Sequence, residues 1–262
     1  MSKHKEIAWL GFELKVPADW EVARHSLSPQ TGTLMLVDRR RHRMDLSWRQ
    51  CNKEPDVQRS CQDLQNRLRE KNPGVRCQPL TRARGWTGFW YEGAAGEIIT
   101  RALRWEKQST QLVDILLVSR PEDETPHPDL VQRILKDFRS TAKPGNATHW
   151  EVFGIDCHTP PGWRLVSTNV KPMDVTLRFE HYRSDGKKPD GRTMAINRLG
   201  MAESWFNGDT KAFLQKKEPK LTFDFEETER KGHDPTRARP GTKRTLFQKL
   251  LGDGSQWGLA LH

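Results

Sequence analysis

One pattern occurs twice, 143 residues apart, and it constrains the fold more than any other feature. Gly11-Phe12-x-Leu14-x-Val16-Pro17-x-x-Trp20 returns as Gly154-Ile155-x-Cys157-x-Thr159-Pro160-x-x-Trp163. Apolar residues at every second position make a strand with one buried face. The proline ends that strand, since it has no N–H for a ladder, and the tryptophan behind it is suited to anchor a core. The match continues at the same offset, with Leu34 and Leu36 against Leu177 and Phe179. Met44 and Leu46 match Met194 and Ile196 once seven residues are inserted, and the insertion falls in the turn-forming run Ser184–Gly191. Leu68 and Pro73 then match Leu214 and Pro219, so a short helix is expected before each proline.

This duplication predicts a first module over 1–143, a linker over 144–149 and a second, incomplete module over 150–262. In the first, the patterning predicts strands near 8–16, 32–39, 43–50, 74–81, 85–93, 96–106 and 110–119. The last of these is apolar with little alternation, as in a strand covered on both faces. Helices are expected over 56–71, with Val57, Cys61, Leu64 and Leu68 inward, and over 126–139, capped by Thr125. Residues 252–262 align with the strand at 96–106, so the second copy lacks a counterpart of the last strand and helix. The fold class expected is α+β: two diverged antiparallel sheets packed with helices. A missing strand would leave an open edge, and self-association through it is a further expectation.

The opening F-x-h-x-V-P-x-x-W strand, a helix after the first hairpins, and a closing helix with a terminal Phe resemble the PsbP-like family. The residues that carry the resemblance are Phe12, Leu14, Val16, Pro17, Trp20 and Phe138, with Ile155, Pro160 and Trp163 in the second copy. The resemblance implies a non-enzymatic binding or assembly role and supplies no catalytic residues.

Composition bounds the rest. Hydrophobic content is 34%, yet ten Trp and ten Phe argue for packed cores. No run of about 20 apolar residues is present to span a bilayer, and residues 1–8 carry no apolar leader, so a cytoplasmic location is expected. Cys51, Cys61, Cys77 and Cys157 contain no C-x-x-C pair and are expected as thiols, with a Cys51–Cys61 bridge the alternative by spacing. The nine histidines form no H-x-x-x-H or H-E-x-x-H, so no metal and no cofactor are expected. Cys157 and His158, being adjacent, are expected on opposite faces of a strand, with Cys157 inward. No nucleophile elbow and no phosphate loop occur, and the chain is not expected to be an enzyme. Trp86 and Trp90 share a face near Arg82 and Arg84; base stacking is one use of such a pair, a core position the other.

The net charge of +10 is spread evenly, 25 basic against 19 acidic side chains in 1–145 and 19 against 15 in 146–262. It concentrates locally at Arg39, Arg40, Arg41 and Arg43 on a hairpin tip, and again around Arg237 and Arg239. Guanidinium forks suit carboxylate or phosphate. These six arginines are the expected partner-binding residues. The expected function is binding of a protein partner, and the alternative is binding of nucleic acid or another anionic surface without membrane insertion.

Overall fold

Leu10 and Gly11 take φ of 51° and 82°. Two consecutive positive values fit a type I′ turn, which matches strand twist and closes a two-residue hairpin. The segment expected as one strand over 8–16 is therefore two, β1 (His4–Trp9) and β2 (Phe12–Pro17), paired from His4↔Pro17 to Trp9↔Phe12. The computed structural model describes residues 4–39, 41–81, 83–141, 146–183, 188–200, 212 and 216, plus the strand backbones at 223–226, 237–240 and 257–258. The second-copy helix expected before Pro219, and most of 252–262, lie outside the described residues.

The chain continues through β3 (Trp20–His25), β4 (Thr31–Asp38), β5 (Arg41–Gln50), α1 (Val57–Lys71), β6 (Gln78–Pro79), β7 (Thr87–Glu92), β8 (Ile98–Glu106) and β9 (Gln111–Ser119). Then come α2 (His127–Asp137), β10 (Arg139–Ser140), β11 (Thr148–Val152) and β12 (Ile155–Thr159). All of these belong to one compact unit, Met1–Pro161. Its strands form a seven-stranded sheet, β3-β4-β5-β9-β8-β7-β6, and a five-stranded sheet, β10-β2-β1-β11-β12. The sheets meet through Phe12 and Trp48, whose rings lie 5.3 Å apart, and through Trp9 Nε1, which donates to the Ser26 carbonyl at 3.0 Å. Leu34, Leu36, Met44 and Leu46 are fully buried in this unit. Gly32 makes room for Trp48, since a Cβ there would lie 2.6 Å from the indole.

The α+β expectation is overturned: the architecture is mostly antiparallel β, with two helices among the described residues. The helix bounds were close, and the strands expected over 32–39, 43–50, 85–93, 96–106 and 110–119 each correspond to one strand, whereas 8–16 divides in two and β3 was not foreseen. Helix α1 is capped by the Asp56 carboxylate, which accepts from the Arg59 N–H at 2.9 Å, and carries Arg69 and Lys71 in its last turn. Its stripe of Val57, Cys61, Leu64 and Leu68 packs on Phe89, Leu103 and Leu112. Helix α2 has no side-chain cap, so Thr125 does not serve as one; Pro126 occupies the cap position. Leu130, Val131, Ile134 and Leu135 are buried, and Trp86 Nε1 donates to the Leu135 carbonyl at 3.1 Å. Trp86 is therefore core, and Trp90 is half-buried against His127 at 5.7 Å.

Residues 148 and 149 of the expected linker already belong to β11. Phe153 and Gly154 repeat the I′ geometry, with φ of 54° and 73°. The hairpin they close, β11–β12, adds to the five-stranded sheet beside β1 through Ala8↔Glu151. Trp150 sits edge-on to Trp9 at 5.5 Å and is buried.

The second unit, Gly162–His262, opens with a meander of β13 (Trp163–Lys171), β14 (Asp174–Tyr182) and β15 (Pro189–Leu199). Leu165, Val175, Leu177 and Phe179 are buried, whereas Trp163 is half-buried beside His181. A further sheet joins β16 (Phe223–Glu226), β17 (Arg237–Pro240) and β18 (Trp257–Gly258). Among the described residues no helix is long and apolar enough to cross a membrane.

Candidate functional site

The arginine hairpin is largely neutralised from within. Between Leu36↔Met44 and Val37↔His42 the register slips, and Arg43 is the extra residue of this bulge. A bulge re-aims the side chain it carries. Arg43 turns inward, its side chain only 7% exposed, between Asp38 and Asp123. Nε donates to Asp38 at 2.6 Å and Nη1 to Asp123 at 3.0 Å. Burial opposes the guanidinium charge, but the two carboxylates outweigh it and hold its pKa above the ordinary value. Arg41 pairs with Glu122 at 2.5 Å on the surface, His42 faces Asp45 at 3.1 Å, and Arg39 sits in the turn with φ of 37°. Arg40 lies outside the described residues. Arg237 and Arg239 lie on β17 in the second unit, and their side chains are outside the described residues.

A cleft of about 460 Å³ opens between α1 and the neighbouring strands. Its floor is apolar, from Leu103, Leu112 and the edge of Trp48. One wall comes from alternate residues of β4 and β5, Thr31, Thr33, Ser47 and Arg49, while the adjoining Leu34 and Leu46 are buried in the core. The other wall is the polar stripe of α1, Ser60, Asp63 and Arg67, spaced three and seven residues from the first. Asp114 faces the cleft opposite Ser47 and is occupied by Arg101, which holds it with three contacts of 2.6–3.1 Å. Burial works against Arg101, yet Asp114 keeps its pKa raised. Arg49 and Arg67 have no ion-pair partner among the described residues and stand exposed at the rim. The cleft was not foreseen from sequence; the alternation of Thr31, Thr33 and of Ser47, Arg49 was the available signal.

The thiols are not poised for nucleophilic chemistry. All four cysteines are free, so no Cys51–Cys61 bridge exists. Burial pushes Cys61 and Cys77 up, and burial with the Asp156 charge pushes Cys157 up to about 11. Such thiols stay protonated at neutral pH. Cys157 is half-buried and His158 exposed, as the alternation predicted.

The five-stranded sheet also gathers residues able to hold a metal, on strands far apart in sequence. Glu6, Glu13 and His149 bring one ligand atom each to within 4.8 Å of one another, as do His149, Glu151 and Asp156. Burial, then Asp156 and Glu6, push the Glu151 carboxyl up. No short-range motif marks these residues, because the grouping depends on β11 pairing with β1.

No protein-family model, curated protein or solved structure matches this chain. The site stands on its geometry alone.

Proposed function

We propose that the protein is a binding module that captures an acidic segment of a partner protein in the cleft beside α1. The observation that carries this reading is the pairing of two uncommitted arginines, Arg49 and Arg67, across an apolar floor edged with hydroxyls. A carboxylate meets a guanidinium fork at the rim, the Ser and Thr hydroxyls take backbone groups, and Leu103 and Leu112 accept an apolar neighbour. The cleft volume lies in the range of ordinary binding sites, about 300–1,000 Å³. Protonated thiols support binding rather than turnover, and the Thr100 hydroxyl, 2.6 Å from His127 Nε2, is fully buried. The resemblance to PsbP-like proteins implies the same class of role. The arginine hairpin is the weaker surface for a protein or nucleic-acid partner, since Arg43 and Arg41 are engaged by Asp38, Asp123 and Glu122.

The test is anisotropy titration with a fluorescein-labelled peptide of alternating Glu and Leu. Charge reversal by Arg49→Glu with Arg67→Glu is expected to weaken binding at least tenfold while leaving thermal unfolding unchanged, because both side chains are exposed. Equal affinity of wild type and the double variant, or stronger loss from Arg39→Glu with Arg41→Glu, refutes the cleft as the docking site.

A further inference from the structure

The outer face of the five-stranded sheet is unusually acidic for a chain of net charge +10. In register, Glu13 lies across from Ala8, Ala8 across from Glu151, and Glu151 across from Asp156. His149 lies across from His158 one step along. Glu6 shares the face of Ala8, and His149 that of Glu151, because side chains two apart in a strand point the same way. Ala8 is fully buried although it sits on this face; its short side chain lies under the longer groups around it. β1 and β11 meet at a single residue pair and then diverge. The gap is a cleft of about 280 Å³ lined in part by Glu6, Glu151 and Asp156.

Four carboxylates thus surround one imidazole. Lys15 and Arg139 are in register with Glu6 and Glu13 but form no ion pair with them, and the His149 ring is the only basic group paired with Glu13, Glu151 and Asp156 among the described residues. The imidazole is held from two sides. Nε2 lies 3.0 Å from Asp156 Oδ1, and the His158 ring stacks on it at 4.4 Å with 5° between planes. With its Nε2–H donated to Asp156, the neutral ring leaves the Nδ1 lone pair toward Glu13, 3.8 Å away. Glu13 in turn accepts from the Thr141 hydroxyl at 3.1 Å. A ligand carboxylate braced by a hydroxyl, and a ligand histidine braced by a carboxylate, make the outer layer that metal sites use to fix their ligands.

We propose that Glu6, Glu13 and His149 bind a divalent ion of the Zn²⁺ class, with Asp156 as the positioning residue for His149. Imidazole with carboxylate suits such borderline ions, and their bond lengths of about 2.0–2.2 Å require modest closure of the ligand atoms from 4.8 Å. The second set, His149 with Glu151 and Asp156, shares the same ring, which offers one lone pair at a time. Asp156 is 73% exposed, whereas Glu13 and His149 are 14% and 16% exposed, so the inner set is the better-ordered one. A bound ion would clamp the β1–β2 hairpin to β11–β12 where a single residue pair now joins them.

The experiment is calorimetric titration of the full chain with Zn²⁺, alongside visible absorption of the Co²⁺ form. One equivalent is expected, with affinity reduced at least tenfold in Glu13→Gln and in His149→Gln. Asp156→Asn is expected to weaken binding about 10–100-fold, as loss of an orienting partner does. Circular dichroism reports whether the variants fold. The Co²⁺ spectrum of the wild type decides independently of them: ligand-field bands without thiolate charge transfer are expected. A thiolate band, uptake without saturation, or variants that bind as tightly as wild type would overturn the proposal.

Discussion

Replacing Arg43 by Ala separates a structural role for this residue from a docking role. Its guanidinium is 7% exposed, and the carboxylates it bridges, Asp38 and Asp123, are 11% and 12% exposed. Removing the cation leaves two buried negative charges facing each other. Breaking a buried ion pair from one side costs about 3–5 kcal/mol. In a unit of this size each kcal/mol is worth about 2–4 °C, so the melting temperature should fall by about 6–20 °C. Asp123 also accepts from the Arg120 N–H at 2.7 Å, so the approach to α2 should loosen with it. Urea unfolding followed by tryptophan fluorescence should show a lower midpoint at unchanged slope. The triple variant Arg43→Met, Asp38→Asn, Asp123→Asn removes all three charges and should recover much of the loss. A melting temperature within about 2 °C of wild type for Arg43→Ala, combined with lost partner binding, would refute the structural assignment.

Two further outcomes follow from packing and burial. Trp150→Ala should cost about 3–5 kcal/mol and speed amide exchange in β1 and β2, because Trp150 is buried against Trp9; unaltered exchange there would show that β11–β12 is not part of that core. Burial holds His127 below its ordinary pKa of 6.5, so the unfolded chain takes a proton there more readily than the folded one. The stability His127 supports is whole above about pH 6.5 and is lost as pH falls below it toward the folded-state value. His127→Gln, which keeps a partner for Thr100, should flatten the pH dependence of the unfolding midpoint on that side.

What could be read from sequence was local, and what could not was long-range. Helix α1 lies within one residue of its expected bounds because Asp56, the Val57–Leu68 stripe and Pro73 all act within a few residues. The split of 8–16 into two strands turned on Leu10, a residue without special turn preference that borrows its geometry from Gly11. Arg43 reads as one more surface arginine until the bulge shifts it inward, and the bulge depends on pairing with β4. Similarly, His149 carried no metal signature in sequence because Glu6 and Glu13 are contributed from more than 130 residues away.

The pairing of β1 with β11 carries a consequence for how the chain is made. Strand β1 sits inside its sheet, flanked by β2 and β11, although it is translated well before β11. Until β11 and β12 have been synthesised, that flank is an unpaired edge beside an uncovered Trp9. At roughly 5–20 residues per second the stretch from Trp9 to Thr159 takes about 8–30 s. During that interval the nascent chain presents an adhesive strand to its surroundings, and an early stop anywhere before Thr148 would make that exposure permanent.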